Sequence, residues 1–283
     1  MVLLELIACG GPVNDGMVAI PGGTFTMGRD ASAHADEKPA HRVSVSPFRL
    51  DAHLVTVADF RTWVDATGYR TVAEQQGFGM IGALGMEEYK WKEARGVSWK
   101  NPFPDLATNP QADDHPVVMM SWLDADAYCK AHDKRLPTEA EWEYAMRAGS
   151  EGTRYPWGDD PHGPDGKLGL NYWQGLDHKS EDGLDGWRYT SPVTAFPPNA
   201  WGLYDPAGNV WQFTADWYAA DTYEHDKDGV TDPKGADSGW ARVARGGSWW
   251  CSANACAAYG LYARGKQQPT APYPNNGFRC ARS

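Results

Sequence analysis

Along this chain the apolar positions first alternate with polar ones and later recur at helical spacing. Phe25 and Met27 alternate with Thr24 and Thr26, the period of two that a half-buried strand requires, and a Pro-Gly-Gly turn separates this strand from an earlier one starting at Met17. Val43 and Val45 alternate with Ser44 and Ser46 in a third strand. The period then lengthens: Val57, Phe60 and Val64 share one helical face, with Thr56 and Asp59 as capping residues and Gly68 as the stop. Residues 69–115 carry little periodicity and read as a long irregular stretch, functional or docked on the core. Ser121 with Asp124 opens a second helix carrying Trp122, Leu123 and Tyr128. Thr138 with Glu141 opens a third, Glu139–Arg147, ending at Gly149. No repeat, charge block or low-complexity linker interrupts the chain, so one domain is expected over residues 17–283, preceded by an N-terminal extension, residues 1–16.

Composition shifts the expectation away from long regular elements. The 283 residues include 14 Trp, 31 Gly and 20 Pro, so turns are frequent and indoles must supply packing that helices and strands would otherwise give. An irregular α/β, loop-rich domain around a small twisted sheet follows. The net charge of -11 argues against a nucleic-acid partner, which needs clustered Lys and Arg. Several acids sit in loops, among them Asp182, Asp185, Asp205, Asp226 and Asp228, where they are either a solvated surface or oxygen ligands for Ca2+. No apolar run reaches the roughly 20 residues of a membrane span. Leu6-Ile7-Ala8-Cys9 is like a bacterial lipobox but lacks a basic segment before it. The compartment is therefore either the bacterial cytoplasm or, if Cys9 marks a lipobox, an exported and membrane-anchored location. A monomer is expected.

The chemistry centres on the cysteines. There are five, so disulfides alone cannot use them all. Cys251 and Cys256 enclose four residues in a Gly- and Trp-rich segment, and two such thiols either form a disulfide or bind a soft metal, with Cu(I) suiting a pair better than Zn2+. Spacing alone leaves both readings open. The surrounding motif, Arg242-Val-Ala-Arg-Gly-Gly-Ser-Trp249 closed by Asn276-Gly-Phe-Arg-Cys280, resembles the signature of the formylglycine-generating enzymes. Met17-Val-Ala-Ile-Pro-Gly-Gly-Thr-Phe-Thr-Met-Gly28, His115-Pro-Val, Lys134-Arg-Leu-Pro-Thr-Glu-Ala-Glu-Trp-Glu-Tyr-Ala145, Tyr155-Pro-Trp-Gly158, Asn171-Tyr-Trp-Gln-Gly175 and Gly202-Leu-Tyr-Asp-Pro-Ala-Gly-Asn-Val-Trp211 extend the resemblance, in the family's order, from Met17 to the end.

That resemblance implies a C-type-lectin-like fold and a copper-dependent oxidase that converts the cysteine of a sulfatase-type Cys-x-Pro-x-Arg peptide to formylglycine with O2. It assigns Cys251 and Cys256 to Cu(I), Ser248 and Trp211 to the adjoining oxygen pocket, and Asn275, Tyr259 and Arg264 to the substrate, a thiol-containing peptide or protein. It pairs Cys129 with Cys280 in a disulfide and leaves Cys9 over. It also implies two Ca2+ sites, one from Asn171, Asp185 and the carbonyls of Tyr172 and Trp187, the other from Asp205, Gln212 and the carbonyls of Gly208 and Val210. Gln212 departs from the Glu usual there, and Asp205 from the usual Asn. The peptide groove departs further, with Ser252, Ala258, Gly260, Gly265 and Pro272 where the family carries hydrogen-bonding residues. Two alternatives follow from the altered groove: copper-dependent oxidation of a different thiol, or a non-catalytic lectin-like binding or display protein on the same scaffold. The eight histidines lack the His-x3-His-x-Glu pattern of the iron-type sulfoxide synthases.

Overall fold

The computed structural model describes residues 15–82, 86, 90–104, 111–163, 165–175, 177–180, 183–252 and 259–283. Cys9, Asp182, Cys256 and Ala258 lie outside the described residues. The first half contains β1 (Met17–Ile20), β2 (Gly23–Met27), β3 (His41–Val45), β4 (Phe48–Asp51), α1 (Val57–Thr67), α2 (Val72–Gln76), β5 (Phe78–Ile81), β6 (Lys92–Arg95), α3 (Trp122–Ala131) and α4 (Glu139–Arg147). The second half adds β7 (Trp211–Trp217), α5 (Thr222–His225), β8 (Val230–Thr231), β9 (Arg242–Arg245), β10 (Arg264–Gln267), β11 (Asn276–Gly277) and β12 (Ala281–Arg282). The strands form small sheets in the orders β1-β4-β12, β10-β9-β7-β11, β2-β3-β8 and β5-β6. Loops take up much of the chain, as the Gly and Pro content predicts.

The alternating segments fold as their patterns require. Phe25 and Met27 of β2 are buried, and Phe25 lies opposite the buried Val43 of β3. Although β1 and β2 are neighbours in sequence, they join different sheets: β1 runs antiparallel to β4, and β2 to β3. The chain crosses between sheets at Gly23, where a Cβ would stand 2.3 Å from the Tyr144 hydroxyl. The expected helices begin at capping boxes, Thr56 with Asp59, Ser121 with Asp124 and Thr138 with Glu141, each reciprocally hydrogen-bonded to the backbone.

Leu123 of α3 is 42% exposed, because it lies off the face that carries Trp122, Ala125 and Tyr128 inward. The sequence reading differs from the structure in one stretch. Residues 69–115 are not wholly irregular: Thr71 and Glu74 form a fourth capping box on α2, and β5 pairs with β6. α2 has five residues, too few to show a hydrophobic period.

The core gathers around α4, which packs on β2, β3, β7 and β9. Trp142 of α4, Trp173 and Trp249 are almost wholly enclosed. Charged residues of α4 are buried too. Glu139 pairs with Arg245 of β9 (2.7 Å) and Arg264 of β10 (2.8 Å), and Glu143 pairs with Arg245 and with Arg147 one turn on (2.7 Å). This ion network stitches the helix to two strands, and removing one partner of such a buried pair costs about 3–5 kcal/mol because the other charge is stranded. Cys129 of α3 and Cys280 form a disulfide with Cα atoms 5.6 Å apart, the pairing that the resemblance implies. Among the described residues no helix is long and apolar enough to cross a membrane.

Candidate active site

One end of the β10-β9-β7-β11 sheet carries the residues that sequence singles out. Trp211 opens β7 and its N–H donates to the Asn275 carbonyl (2.8 Å), which ties it to the residue preceding β11. After β9 the chain turns at Gly246 and Gly247, both at positive φ (89° and 72°), conformations that glycine adopts without strain. A second turn, Cys251 N–H to Ser248 C=O at 2.9 Å, then brings the Cys251 sulfur beside the Ser248 hydroxyl at 3.7 Å. Ser248 Oγ accepts from Asn275 Nδ2 (3.1 Å) and from the Trp250 N–H (3.3 Å). With both lone pairs engaged, its own proton is left to point at Cys251 Sγ.

Cys251, Trp211 and Asn275 line a cleft of about 460 Å³. Cys251 is 1% exposed and is in the disulfide form here. Its carbonyl is braced by the Trp173 N–H (3.1 Å). Asn275 is 4% exposed, and its Oδ1 accepts no hydrogen bond among the described residues, so a buried acceptor is left in the cleft wall. Trp211 lies against Gly265 of β10 so closely that a Cβ there would be 2.6 Å from its ring.

Arg264 and Tyr259 sit differently from the rest. Arg264 lines the cleft, but its guanidinium is held by Glu139 (2.8 and 3.0 Å) and by the carbonyls of Asp36 (2.9 Å) and Ala219 (3.2 Å), which commits its fork to the core. Tyr259 is buried, stacked on Tyr172 with centroids 4.8 Å apart, and is not among the residues that line the cleft. Gly260 packs against Arg154.

Several cleft residues carry no sequence signal. His178 stacks on Trp250 at 3.7 Å and its Nε2 bonds the Trp250 carbonyl (2.8 Å), while Trp91 meets Tyr273 edge-on at 5.1 Å. A lone His and one Trp among 14 give nothing to pick out in the sequence, although Trp250, next to Cys251, could have been found by adjacency. Glu37, 3% exposed, closes another side, and burial raises its carboxyl above the usual range despite hydrogen bonds from Ser32 and the Arg264 N–H.

The two acidic loops differ in what they offer a cation. In the first, Asn171 is 1% exposed and its Oδ1 has no hydrogen-bond partner among the described residues. Burial raises the Asp185 carboxyl. Gln174 Nε2 donates both to the Tyr172 carbonyl and to Asp185 Oδ2, so those two oxygens converge on one point, and Gln174 is only half-buried. An orphaned amide oxygen, a carbonyl and a carboxylate fit a Ca2+ ion. In the second loop Asp205 and Gln212 are buried, and Gln212 hydrogen-bonds at both ends of its amide.

Comparison with known proteins places this arrangement. Residues 10–283 match the family model of the sulfatase-modifying factor enzyme 1-like domain. The formylglycine-generating enzyme of Thermomonospora curvata is 42% identical over 282 residues, covering 94% of this chain and 93% of that protein. The inactive C-alpha-formylglycine-generating enzyme 2 of Mus musculus is 37% identical over 310 residues, covering 100% of this chain and 92% of the mouse protein. Among solved structures, PvdO from Pseudomonas aeruginosa superimposes with a TM-score of 0.69 at 25% identity, covering 94% of each chain. A match over nearly the whole length, with the motif residues brought together at one sheet end, means that this chain belongs to the sulfatase-modifying factor, or formylglycine-generating enzyme, family.

Proposed function

We propose that this protein oxidises the cysteine of a sulfatase-type Cys-x-Pro-x-Arg peptide to formylglycine, using O2 and copper held by Cys251 and Cys256. The observation that carries the reading is the Cys251 sulfur at the wall of the cleft, 3.7 Å from a Ser248 hydroxyl whose other contacts leave its proton directed there. Relatives named as formylglycine-generating enzymes at about 40% identity support the reaction class.

Two soft thiolates are a donor set suited to Cu(I). The disulfide form of Cys251 must be reduced before it can serve as a ligand. Bound copper would supply the redox chemistry with O2. The protein's own part is positional. Ser248 donates to the Cys251 sulfur and so holds it at the cleft wall. Asn275 Oδ1 offers the peptide a buried acceptor, and Trp211, flat on Gly265, walls the pocket and excludes water. Ca2+ held by Asn171, Asp185 and the carbonyls of Tyr172 and Trp187 would fix the segment whose Trp173 N–H braces the Cys251 carbonyl.

A second reading, oxidation of a different thiol, is favoured by the cleft itself. Arg264 is committed to Glu139, Tyr259 to Tyr172, and Gly260 and Gly265 add no polar group, so of the side chains that the resemblance assigns to the peptide only Asn275 keeps a free polar atom in the cleft. Anaerobic Cu(I) titration of the reduced protein, followed by aerobic incubation with a Cys-x-Pro-x-Arg peptide and mass spectrometry, separates the readings. Stoichiometric copper with conversion of the cysteine to an aldehyde is expected, and Cys256→Ala should abolish stoichiometric copper binding with the fold intact. Copper binding without conversion would point to another thiol. Absent copper binding would leave a non-catalytic role, as in the inactive mouse relative.

A further inference from the structure

Residues 205–212 match a calcium loop in sequence, yet the side chains form a closed network with no ligand oxygen to spare on Gln212. The Gln212 amide is wholly buried. Its Oε1 accepts from Trp142 Nε1 (2.8 Å) and from Arg279 Nε (2.8 Å), which uses both lone pairs. Its Nε2 donates to the Asp205 carbonyl (2.8 Å). The partners fix the orientation: a flipped amide would set its N–H groups against two donors and its oxygen against a carbonyl. The end that faces the loop is therefore a donor, where a cation needs an acceptor.

The loop also has a positive charge already. Arg279, wholly buried, sends its remaining donors to the carbonyls of Asp51 (3.3 Å), Ala52 (3.2 Å), Tyr204 (2.6 Å) and Asp205 (3.2 Å). The Asp205 carbonyl thus receives both Gln212 and Arg279. The Asp205 carboxylate accepts from Asn209 Nδ2 (3.3 Å) and is the loop's one acidic side chain. A divalent ion beside a buried guanidinium would leave charge uncompensated in a low-dielectric interior, since Asp205 is the loop's one carboxylate and the Asp51 carboxylate that also acts on Arg279 is already paired with Lys134 (2.6 Å).

We infer that the 205–212 loop takes no divalent cation and is locked by Gln212 and Arg279, so that of the two calcium sites the family resemblance implies, this chain keeps at most the one at Asn171 and Asp185. The lock matters for the site because the same loop carries Asn209, whose carbonyl holds the Trp249 N–H (2.9 Å) two residues before Cys251, and it leads directly into Trp211. Gln212 is then a positioning residue whose work does not depend on calcium.

The test is calcium stoichiometry by equilibrium dialysis on the full chain, for the wild type, Asp185→Asn and Asp205→Asn, with thermal melts of Asp185→Asn in calcium and in EGTA. Zero or one equivalent in the wild type is expected, with none in Asp185→Asn, an unchanged count in Asp205→Asn, and coincident melts. Two equivalents in the wild type would overturn the inference, as would calcium that survives Asp185→Asn. If Asp205→Asn fails to fold, Asp185→Asn decides alone: a calcium-dependent rise in its melting temperature would sink the proposal. None of these readouts depends on turnover, so they stand apart from the fate of the oxidase reading.

Discussion

At the scale of single residues, Gly265 and Trp211 form the tightest contact in the candidate site. A Cβ on residue 265 would stand 2.6, 2.9 and 3.0 Å from three atoms of the Trp211 ring, nearer than side-chain carbons tolerate, and Trp211 is pinned by its own backbone bond to Asn275. Gly265→Ala should therefore displace the indole, destabilise the protein by about 1–3 kcal/mol and lower peptide conversion. Urea unfolding beside the mass-spectrometric assay checks this, with Gly163→Ala as the control, since its nearest neighbour would be an ordinary 3.5 Å away. The importance of Cys251, Ser248 and Trp211 is legible in the motif around them. That Arg264 faces inward to Glu139 is not, because its partner lies 125 residues earlier and no local pattern joins them.

Among the elements, the junction of β7 with α4 buries one carboxyl beside another. Asp216 of β7 accepts the Glu139 N–H at 2.7 Å, so a strand residue caps the first turn of α4, beside the Glu139 carboxylate. Burial, helped by that neighbouring negative charge, raises the Asp216 carboxyl to about 8. A carboxyl whose folded pKa exceeds its unfolded value binds more protons when folded. Its contribution is fully present below about pH 4, the unfolded value, and is lost as pH rises towards about 8. Asp216→Asn keeps an acceptor for the Glu139 N–H and removes the titration. The melting temperature of the variant relative to the wild type should accordingly climb between pH 4 and 8 and level off above. A constant difference across that range would show that Asp216 does not titrate there. The helices themselves are legible in sequence because a capping box is a local, four-residue signal, whereas the cap that Asp216 supplies comes from 77 residues away.

For the molecule as a whole, the disulfide between Cys129 and Cys280 closes a loop across 151 positions, joining α3 to the segment that feeds β12. Restricting so long a loop in the unfolded chain stabilises the fold by about 2–5 kcal/mol. Cys129→Ser should thus lower the melting temperature by roughly 5–15 °C for a domain of this size, while leaving Cu(I) stoichiometry unchanged, because neither sulfur lines the cleft. By itself the sequence determined the three main helices, the first strands and the family, all of which rest on short periodicities, caps and motifs that neighbouring residues write together. It also named the two candidate calcium loops. Only the tertiary structure decided that β1 and β2 part company into different sheets, that His178 and Trp250 stack beside Cys251, and that Gln212 turns its amide oxygen to Trp142 and Arg279 and its amide nitrogen to the Asp205 carbonyl. Those outcomes depend on partners tens of residues distant. Hydrogen-bond donors and acceptors at such separations meet only when the packed core leaves each of them a single place to go.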